Sequence, residues 1–177
     1  MSFELSHVEP QASIADYTRP ELIIPRLCGA DPAGIVEELS HKLHAFEIIG
    51  DKLSFYHAVL NHDMLTNSAL PTGIAIPHAR GAQVRRLALA VGRTSRPVVW
   101  GIKGSWLVDH VFLIAVPATD ALEYLALLSS IANFGRQTGL LAKLRSAADA
   151  GSIFELLKQI QARPGLDGIS TGRLPAK

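Results

Sequence analysis

The spacing of apolar residues changes twice along this chain, and that change limits the folds it can adopt. Before about residue 70 and after about residue 120, apolar side chains recur at the intervals of three and four that are typical of helices. Between these two blocks, short apolar or alternating runs predict strands at residues 73–77, 87–94, 97–101 and 110–117. This order predicts an α/β (α+β) fold in which helices cover both faces of a mixed sheet.

Capping residues and apolar spacing place two helices before these strands. Asp31 followed by Pro32 is typical of a helix start, because the Asp side chain accepts a backbone hydrogen bond and Pro suits the first helical position. The first helix is therefore predicted over residues 31–46. A second helix is predicted in "DKLSFYHAVLNHDML", residues 51–65. Its predicted shared apolar face consists of Leu53, Tyr56, Leu60 and Met64.

Three more helices are predicted after the last strand. Asp120 is placed to cap the first of them, and Glu123 is placed to complete a capping box. The predicted apolar face of this helix consists of Leu122, Leu125, Leu128 and Ile131. Residues 139–147 and 152–161 follow as two amphipathic stretches.

These patterns divide the chain into three parts. Residues 1–20 are predicted to be irregular, and an apolar run at 21–25 predicts a short buried strand at the start of the folded domain. The domain is predicted to extend over residues 21–162. A Gly- and Pro-rich tail at 163–177 is predicted to be flexible.

Composition and charge argue against several classes of function. Lys and Arg number 17 against 16 Asp and Glu, so no strong positive charge favours binding to nucleic acid or an acidic membrane. The apolar runs are far shorter than the roughly 20 residues of a membrane span, so membrane insertion is not expected. Cys28 is the single cysteine, and the first residues lack a signal-peptide pattern, so a cytoplasmic location is expected.

The run "GIAIPHAR" at residues 73–80 contains a histidine, His78, that the strand pattern predicts to be accessible. His78 directly follows a predicted strand and precedes the small Ala79, which leaves its imidazole at the sheet rim, within reach of a partner protein. A neutral imidazole is a good nucleophile near pH 7, because the ordinary histidine pKa of about 6.5 leaves one ring nitrogen unprotonated. Phosphoryl transfer suits such a group, although a lone histidine at a strand end more often has a structural role.

This run resembles the phosphorylation-site signature of the type-2 enzyme IIA domains of the bacterial sugar phosphotransferase system. In that signature a Gly, an alternating apolar and Ala segment, Pro and His precede a small residue and often Lys or Arg, as Gly73 through Arg80 do here. "VDHVFLIAVP" at 108–117 is similar to the family's strand that ends in Val-Pro before a Leu-rich helix. The resemblance extends in arrangement over most of residues 20–160.

The resemblance implies a mixed five-stranded sheet flanked by helices, a phosphohistidine at His78 and a histidine-containing phosphocarrier protein as the phosphoryl donor. The transfer it implies needs no metal and no dissociable cofactor. Chain length makes this sequence most similar to the family's nitrogen-regulatory proteins, which report their phosphorylation state to protein partners rather than pass phosphate to sugar. We therefore expect a signalling role with a regulated protein partner.

Two positions depart from the family's pattern. His62 stands where an Arg is expected, and imidazole offers one good hydrogen bond to phosphate where a guanidinium offers two. Tyr124 stands where a second histidine is expected, and a phenol can donate a hydrogen bond but cannot share a proton with His78 as imidazole would. The alternative function is therefore a regulatory binding module of the same fold that has lost phosphotransfer.

Three further residues are candidates for holding the phosphoryl group or the partner. Asn67 and Ser68 lie in the loop before the motif, and Arg80 lies two residues beyond His78. Ordinary loop and surface chemistry explains such residues about as well. The histidines on the first two helices lack the acidic companions of a His-Glu-x-x-His pattern, so a metal-dependent enzyme is the least favoured class and no metal ligand is predicted.

Overall fold

A computed structural model of the chain describes residues 12–101, 106–120 and 122–162. The predicted tail at 163–177 and the first eleven residues lie outside the described residues. The strands are β1 Ile23–Leu27, β2 Ile74–Ala75, β3 His78–Gly81, β4 Ala88–Trp100 and β5 Trp106–Pro117. The helices are α1 Pro32–Ala45, α2 Lys52–Thr66, α3 Glu123–Phe134, α4 Thr138–Ser146 and α5 Ala150–Leu157. None of the helices in these described ranges is long and apolar enough to cross a membrane.

The strands form one mixed five-stranded sheet, which confirms the predicted fold class. β1 lies parallel to β4, β4 lies antiparallel to β5, and both β2 and β3 lie parallel to β5 along its other edge. β2 and β3 follow one another along β5, because Ile74 is opposite His110 and His78 is opposite Ile114. Ile76 and Pro77 separate them, because the Ile76 N–H donates to the Ser68 carbonyl and Pro77 has no backbone N–H.

The alternating side chains of β5 build a hydrophobic core on each face of the sheet. Val111, Leu113 and Ala115 pack on the side of α1 and α2. Phe112, Ile114 and Val116 pack on the side of α3, α4 and α5. Because successive side chains of a strand point to opposite faces, a continuous apolar run is what a strand buried on both sides requires.

The start of α1 is as predicted, whereas the predicted buried face of α2 is wrong. The Asp31 side chain accepts a hydrogen bond from the Gly34 backbone N–H at 2.8 Å.

In α2 the fully buried residues are Phe55 and Val59, while Leu53 and Met64 are 63% and 61% exposed. Tyr56 and Leu60 are partly buried beside this core. The helix carries apolar residues on more than one side, and the side with Phe55 and Val59 is the one that packs into the core.

The predicted face of α3 is also displaced. Its buried apolar residues are Ala126, Leu127, Ile131 and Phe134. Leu122 and Leu125 are exposed instead. Asp120 accepts a hydrogen bond from the Glu123 backbone N–H at 3.1 Å. Glu123 is the first residue of α3 and Leu122 is its N-cap, so the prediction that Asp120 caps this helix is wrong. The Glu123 carboxylate accepts a bond from the Tyr17 hydroxyl at 2.8 Å, however, so it is engaged away from the predicted capping box.

The predicted strands differ locally from the observed ones. The run predicted at 73–77 forms a strand only at Ile74–Ala75, and the strand predicted at 110–117 begins at Trp106. The runs predicted at 87–94 and 97–101 form a single strand, β4, whose pairing is irregular between Arg93 and Val98. The predicted strand at 21–25 is shifted to Ile23–Leu27.

The segment before β1 packs against the domain. Residues Ile14–Tyr17 form a 3-10 turn, and Ile14 is completely buried against the α5 side of the sheet. The Ile14 backbone N–H donates to the Ile160 carbonyl at 2.9 Å. These contacts attach residues 12–20 to the core, while the domain boundaries at residues 21 and 162 stay predictions.

Candidate functional site

His78 is the first residue of β3, the short strand at the edge of the described sheet, rather than a residue just past a strand. The Pro77 carbonyl accepts a hydrogen bond from the Ile114 N–H at 3.0 Å, which holds the strand against β5 across the proline. Ala79, the next residue of β3, is buried in the core on the α1 and α2 side of the sheet, so the neighbouring His78 side chain points away from that core. The His78 ring is therefore half-buried at the rim of the sheet.

One nitrogen of the His78 ring is engaged by the backbone. Nδ1 lies 3.0 Å from the carbonyl oxygen of Ile76. A carbonyl oxygen is an acceptor, so Nδ1 must carry the hydrogen in this contact, and in the neutral ring Nε2 then keeps its lone pair. The geometry thus presents Nε2 as the nucleophilic nitrogen.

The structure brings His62 and Tyr124, two of the predicted site residues, next to His78. The ring centroids of His62, on α2, and His78 are 4.5 Å apart, with the ring planes tilted by 56°. Tyr124, near the start of α3, has its ring centroid 6.4 Å from that of His78. These two aromatic side chains come from helices on opposite faces of the sheet, and they meet at its edge.

The environment of His62 favours its neutral form. Burial lowers the pKa of His62, and positive charge on the neighbouring His78 lowers it further. The carboxylate of Asp63 acts in the opposite direction and does not offset these two effects. His62 Nδ1 also lies 3.4 Å from the Thr66 hydroxyl, one turn later on the same helix.

The loop residues predicted for the site are held in other contacts. The Ser68 hydroxyl and backbone N–H both donate to Oδ1 of Asp63. Asn67 has a positive φ of 49°, and its side-chain amide lies against Gly101 at the end of β4. Its Oδ1 is 3.4 Å from the Ala69 backbone N–H. These contacts fix the loop that leads to the motif.

Arg80 is directed along the rim rather than at a neighbouring carboxylate. Its Nη2 and Nε donate to the Ala118 carbonyl at 2.7 and 3.2 Å. The side chain is exposed, so its charge contributes to the surface that a partner would meet.

Sequence reasoning missed Asp63 and Trp100 as site residues. Asp63 directly follows His62, and its Oδ2 accepts a hydrogen bond from Trp100 Nε1 at 3.0 Å. Trp100 is fully buried, and a buried indole N–H usually donates to an acceptor. The tryptophan itself was therefore a sign that an acceptor side chain lies nearby. Nothing in the sequence spacing identifies that partner, since 37 positions separate the two residues.

No three His, Cys, Asp or Glu side chains lie together in a metal-holding group within the described ranges. The histidine and aspartate at the start of the last predicted strand, His110 and Asp109, form a hydrogen-bonded pair at 2.7 Å. Arg145 joins this pair, and its Nε donates to Asp109 Oδ2 at 2.7 Å. The three residues hold α4 against the sheet.

Comparisons with known proteins place the chain in a known family and agree with this fold. The family profile described as "Phosphoenolpyruvate-dependent sugar phosphotransferase system, EIIA 2" matches residues 16–160. A nitrogen regulatory protein of Bradyrhizobium diazoefficiens is 29% identical over 145 residues, which cover 81% of this chain and 94% of that protein. The 2-O-alpha-mannosyl-D-glycerate-specific EIIABC component of Escherichia coli is 29% identical over 124 residues, 69% of this chain but 19% of that longer protein.

A solved structure shows the same fold. The crystal structure of the nitrogen regulatory protein IIA-Ntr from Neisseria meningitidis superposes with a TM-score of 0.72 at 21% sequence identity. The superposition covers 81% of this chain and 98% of that one.

Proposed function

Because this chain belongs to the EIIA 2 family of the phosphoenolpyruvate-dependent sugar phosphotransferase system, we propose that it accepts a phosphoryl group on His78. The donor is the phosphohistidine of a histidine-containing phosphocarrier protein. The observation that supports this proposal best is the contact between His78 Nδ1 and the Ile76 carbonyl at 3.0 Å, which leaves Nε2 free at the sheet rim.

The transfer exchanges one N–P bond for another between two histidines. The Nε2 lone pair of His78 forms the new N–P bond as the N–P bond of the carrier breaks, and the carrier's ring nitrogen recovers the electron pair. Nδ1 keeps its hydrogen and its bond to the Ile76 carbonyl throughout. In phosphoryl transfer the protein contributes mainly position and charge stabilisation, which a fixed imidazole at an accessible edge provides.

His62 and Tyr124 are proposed to hold the phosphoryl oxygens on His78. Both rings lie close to the acceptor ring, and each offers a polar hydrogen-bonding group. Asn67 is proposed as a further donor from the loop. The Ser68 hydroxyl is already bonded to Asp63, and Arg80 is bonded to the Ala118 carbonyl, so these two are proposed to shape the rim and the partner surface.

Exposed apolar residues near these rings support docking of the carrier. Leu65 is 86% exposed and lies one turn beyond His62, while Leu122 is 71% exposed and lies two residues before Tyr124. An exposed apolar rim around a reactive side chain is typical of a protein-binding surface.

We propose a nitrogen-regulatory, signalling role in the cytoplasm, because nitrogen regulatory proteins are among the relatives that this chain matches along most of their length. A phosphoryl group adds about −1.5 to −2 charges at the rim, and this is enough to create or disrupt a contact with a regulated protein partner.

The test is transfer of labelled phosphate from phosphoenolpyruvate, through the first enzyme and the phosphocarrier, to the wild type and to His78→Ala. We expect an acid-labile, base-stable label on the wild type and none on the variant. His41→Ala, a change on the exposed side of α1, serves as the control and should label normally. NMR of the phosphorylated protein should place the phosphorus on Nε2.

No label on the wild type, with a known enzyme IIA labelled in parallel, would overturn the proposal. The fold would then act as a regulatory binding module without phosphotransfer.

A further inference from the structure

Asp63 lies beside His62 on α2, and hydrogen-bond donors from two other parts of the chain converge on its carboxylate. Oδ1 accepts from the Ser68 hydroxyl and, at 3.1 Å, from the Ser68 backbone N–H. Oδ2 accepts from Trp100 Nε1 at 3.0 Å. One carboxylate thus joins the end of α2, the loop before the phosphorylation motif and the end of β4.

The same chain of hydrogen bonds continues to the acceptor ring. The Ser68 carbonyl accepts from the Ile76 backbone N–H at 3.0 Å. The Ile76 carbonyl is in turn the group that lies 3.0 Å from His78 Nδ1. Pairing of Ala69 with Ala75 supports this segment on its other side. The position of the carbonyl that fixes the His78 tautomer therefore depends on Ser68, and the position of Ser68 depends on Asp63.

We propose that Asp63 is a positioning residue, which holds His78 with its hydrogen on Nδ1 through Ser68 and Ile76. This inference rests on the proposed role of His78 as the phosphoryl acceptor. Asp63 does not contact the phosphoryl group. It determines which nitrogen of the His78 ring has the free lone pair.

The chemistry of the contacts requires a carboxylate. The groups that face Asp63 are an indole N–H, a backbone N–H and a hydroxyl, and the first two can only donate. An ionised carboxylate accepts on both oxygens, so it satisfies Trp100 and Ser68 together. An asparagine has one acceptor oxygen and would turn its NH2 group towards one of these donors. It would therefore lose the hydrogen bond either to Trp100 or to Ser68.

Asp63 also connects the acceptor to the β4–β5 hairpin. Trp100 is completely buried near the end of β4, and the next residue, Gly101, has a φ of +94° and packs against the Asn67 side chain. Trp100 and Asp63 thus link the end of β4 to the loop before the motif.

The test compares the His78 ring in the wild type and in Asp63→Asn, by two-bond proton–nitrogen NMR on protein labelled with 15N-histidine. We expect His78 in the wild type to be almost wholly in the Nδ1–H form. Asp63→Asn should give a mixture of both tautomers and a phosphoryl acceptance rate about tenfold lower, which is about 1.4 kcal/mol in the barrier.

Asp51→Asn is the matched control. Asp51 lies at the other end of the same helix, and its carboxylate also accepts from a serine N–H and hydroxyl, those of Ser54. This variant should leave both the tautomer and the transfer rate unchanged. Ser68→Ala, which keeps the backbone N–H bond to Asp63, is the second variant in case Asp63→Asn does not fold, and we expect it to shift the tautomer by a smaller amount.

The readouts separate this proposal from the proposed function. An unchanged His78 tautomer in a folded Asp63→Asn or Ser68→Ala protein would overturn the positioning role, whatever the label shows. A tautomer that shifts in Asp63→Asn, together with a wild type that takes up no phosphate, would support the positioning role and reject phosphoryl acceptance.

Discussion

The imidazole rings of His62 and His78 lie with their centroids 4.5 Å apart, and positive charge on His78 lowers the pKa of His62. His62 stands on α2, where the resemblance to the family predicts an arginine, and its pKa is lowered from the ordinary histidine value, whereas a guanidinium would stay charged. We therefore expect phosphoryl acceptance by His78 to depend on the charge of His62.

We expect phosphorylation of His78 to be coupled to proton uptake by His62. In the unphosphorylated protein, burial and His78 lower the pKa of His62, which keeps this ring neutral at pH 7. A phosphoryl group of about −1.5 to −2 charges favours the charged ring and raises that pKa. The phosphorylated form then binds the extra proton more tightly, so acid shifts the transfer equilibrium towards this protein.

The measurement is the partition of label between carrier and acceptor from about pH 8 to about pH 6, where one linked proton changes the equilibrium by at most about tenfold per pH unit. His62→Arg keeps a positive partner but removes the titration, so its partition should vary less with pH. Equal pH slopes in the two proteins would exclude His62 as the linked group.

Tyr124→Phe should slow phosphoryl acceptance without preventing folding. The phenol ring lies 6.4 Å from the His78 ring, and its hydroxyl is proposed to donate one hydrogen bond to a phosphoryl oxygen. A hydrogen bond to a charged group contributes about 1.5–3 kcal/mol, so we expect a rate at least about tenfold lower.

Initial rates of labelling by the phosphorylated carrier would measure the effect of Tyr124→Phe. Tyr56→Phe, a change in the α1–α2 core, is the control and should label at the wild-type rate. If both variants label like the wild type, the Tyr124 hydroxyl makes no contact with the transferred group.

Local chemistry made part of this fold predictable from sequence. The cap at Asp31, the long apolar run of β5 and the position of His78 at the sheet rim each follow from a few neighbouring residues. Predictions from such patterns are reliable because they depend on local backbone hydrogen bonds and on the periodicity of one element.

Features that depend on packing between distant elements were not predictable in the same way. The buried side of α2 passes through Phe55 and Val59 rather than Leu53 and Met64, because the sheet selects one of several apolar sides of that helix. The bond between Asp63 and Trp100 joins α2 to β4, and no spacing rule connects residues 37 positions apart. The close approach of His62 to His78 depends on how α2 packs at the edge strand, so it was expected from the resemblance to the family and not from any spacing of residues.

Gly29→Ala should destabilise the protein, because the loop before α1 has no room for a methyl group. A Cβ at residue 29 would lie 2.6 Å from the Ile35 backbone nitrogen and 2.7 Å from the Gly34 carbonyl carbon. Both atoms belong to the backbone of the first turns of α1 and cannot move without disrupting its start. Overpacking of this kind costs about 1–3 kcal/mol of unfolding free energy, which urea denaturation would detect.

Gly139→Ala is the matched control for Gly29→Ala. A Cβ at Gly139, in the first turn of α4, meets nothing within 4 Å. Because alanine suits a helix better than glycine does, we expect this variant to be unchanged or up to about 1 kcal/mol more stable. Equal losses in both variants would show that the crowding at Gly29 is not the cause.

Arg145→Met should reduce stability at neutral pH and have less effect in acid. Burial alone raises the pKa of Asp109, but hydrogen bonds from His110 and Arg145 outweigh it and leave this pKa below its ordinary value. A lowered carboxyl pKa contributes stability above the ordinary aspartate value of about 3.9, and that stability is lost as the pH falls through the lowered value. Without Arg145 the lowering is smaller, so the variant has less of this stability to lose.

We expect Arg145→Met to lower the unfolding free energy by about 1 kcal/mol at pH 7, with a smaller difference near pH 3.5, since the guanidinium is partly exposed and partly screened. Lys158→Met is the control, because Lys158 pairs with Glu155 on an exposed side of α5 and should cost less than about 0.5 kcal/mol. Denaturation of the three proteins at both pH values decides the cause. A loss in Arg145→Met that is the same at both would mean that Arg145 acts through its bond to the Thr72 carbonyl and through packing, and not through the charge of Asp109.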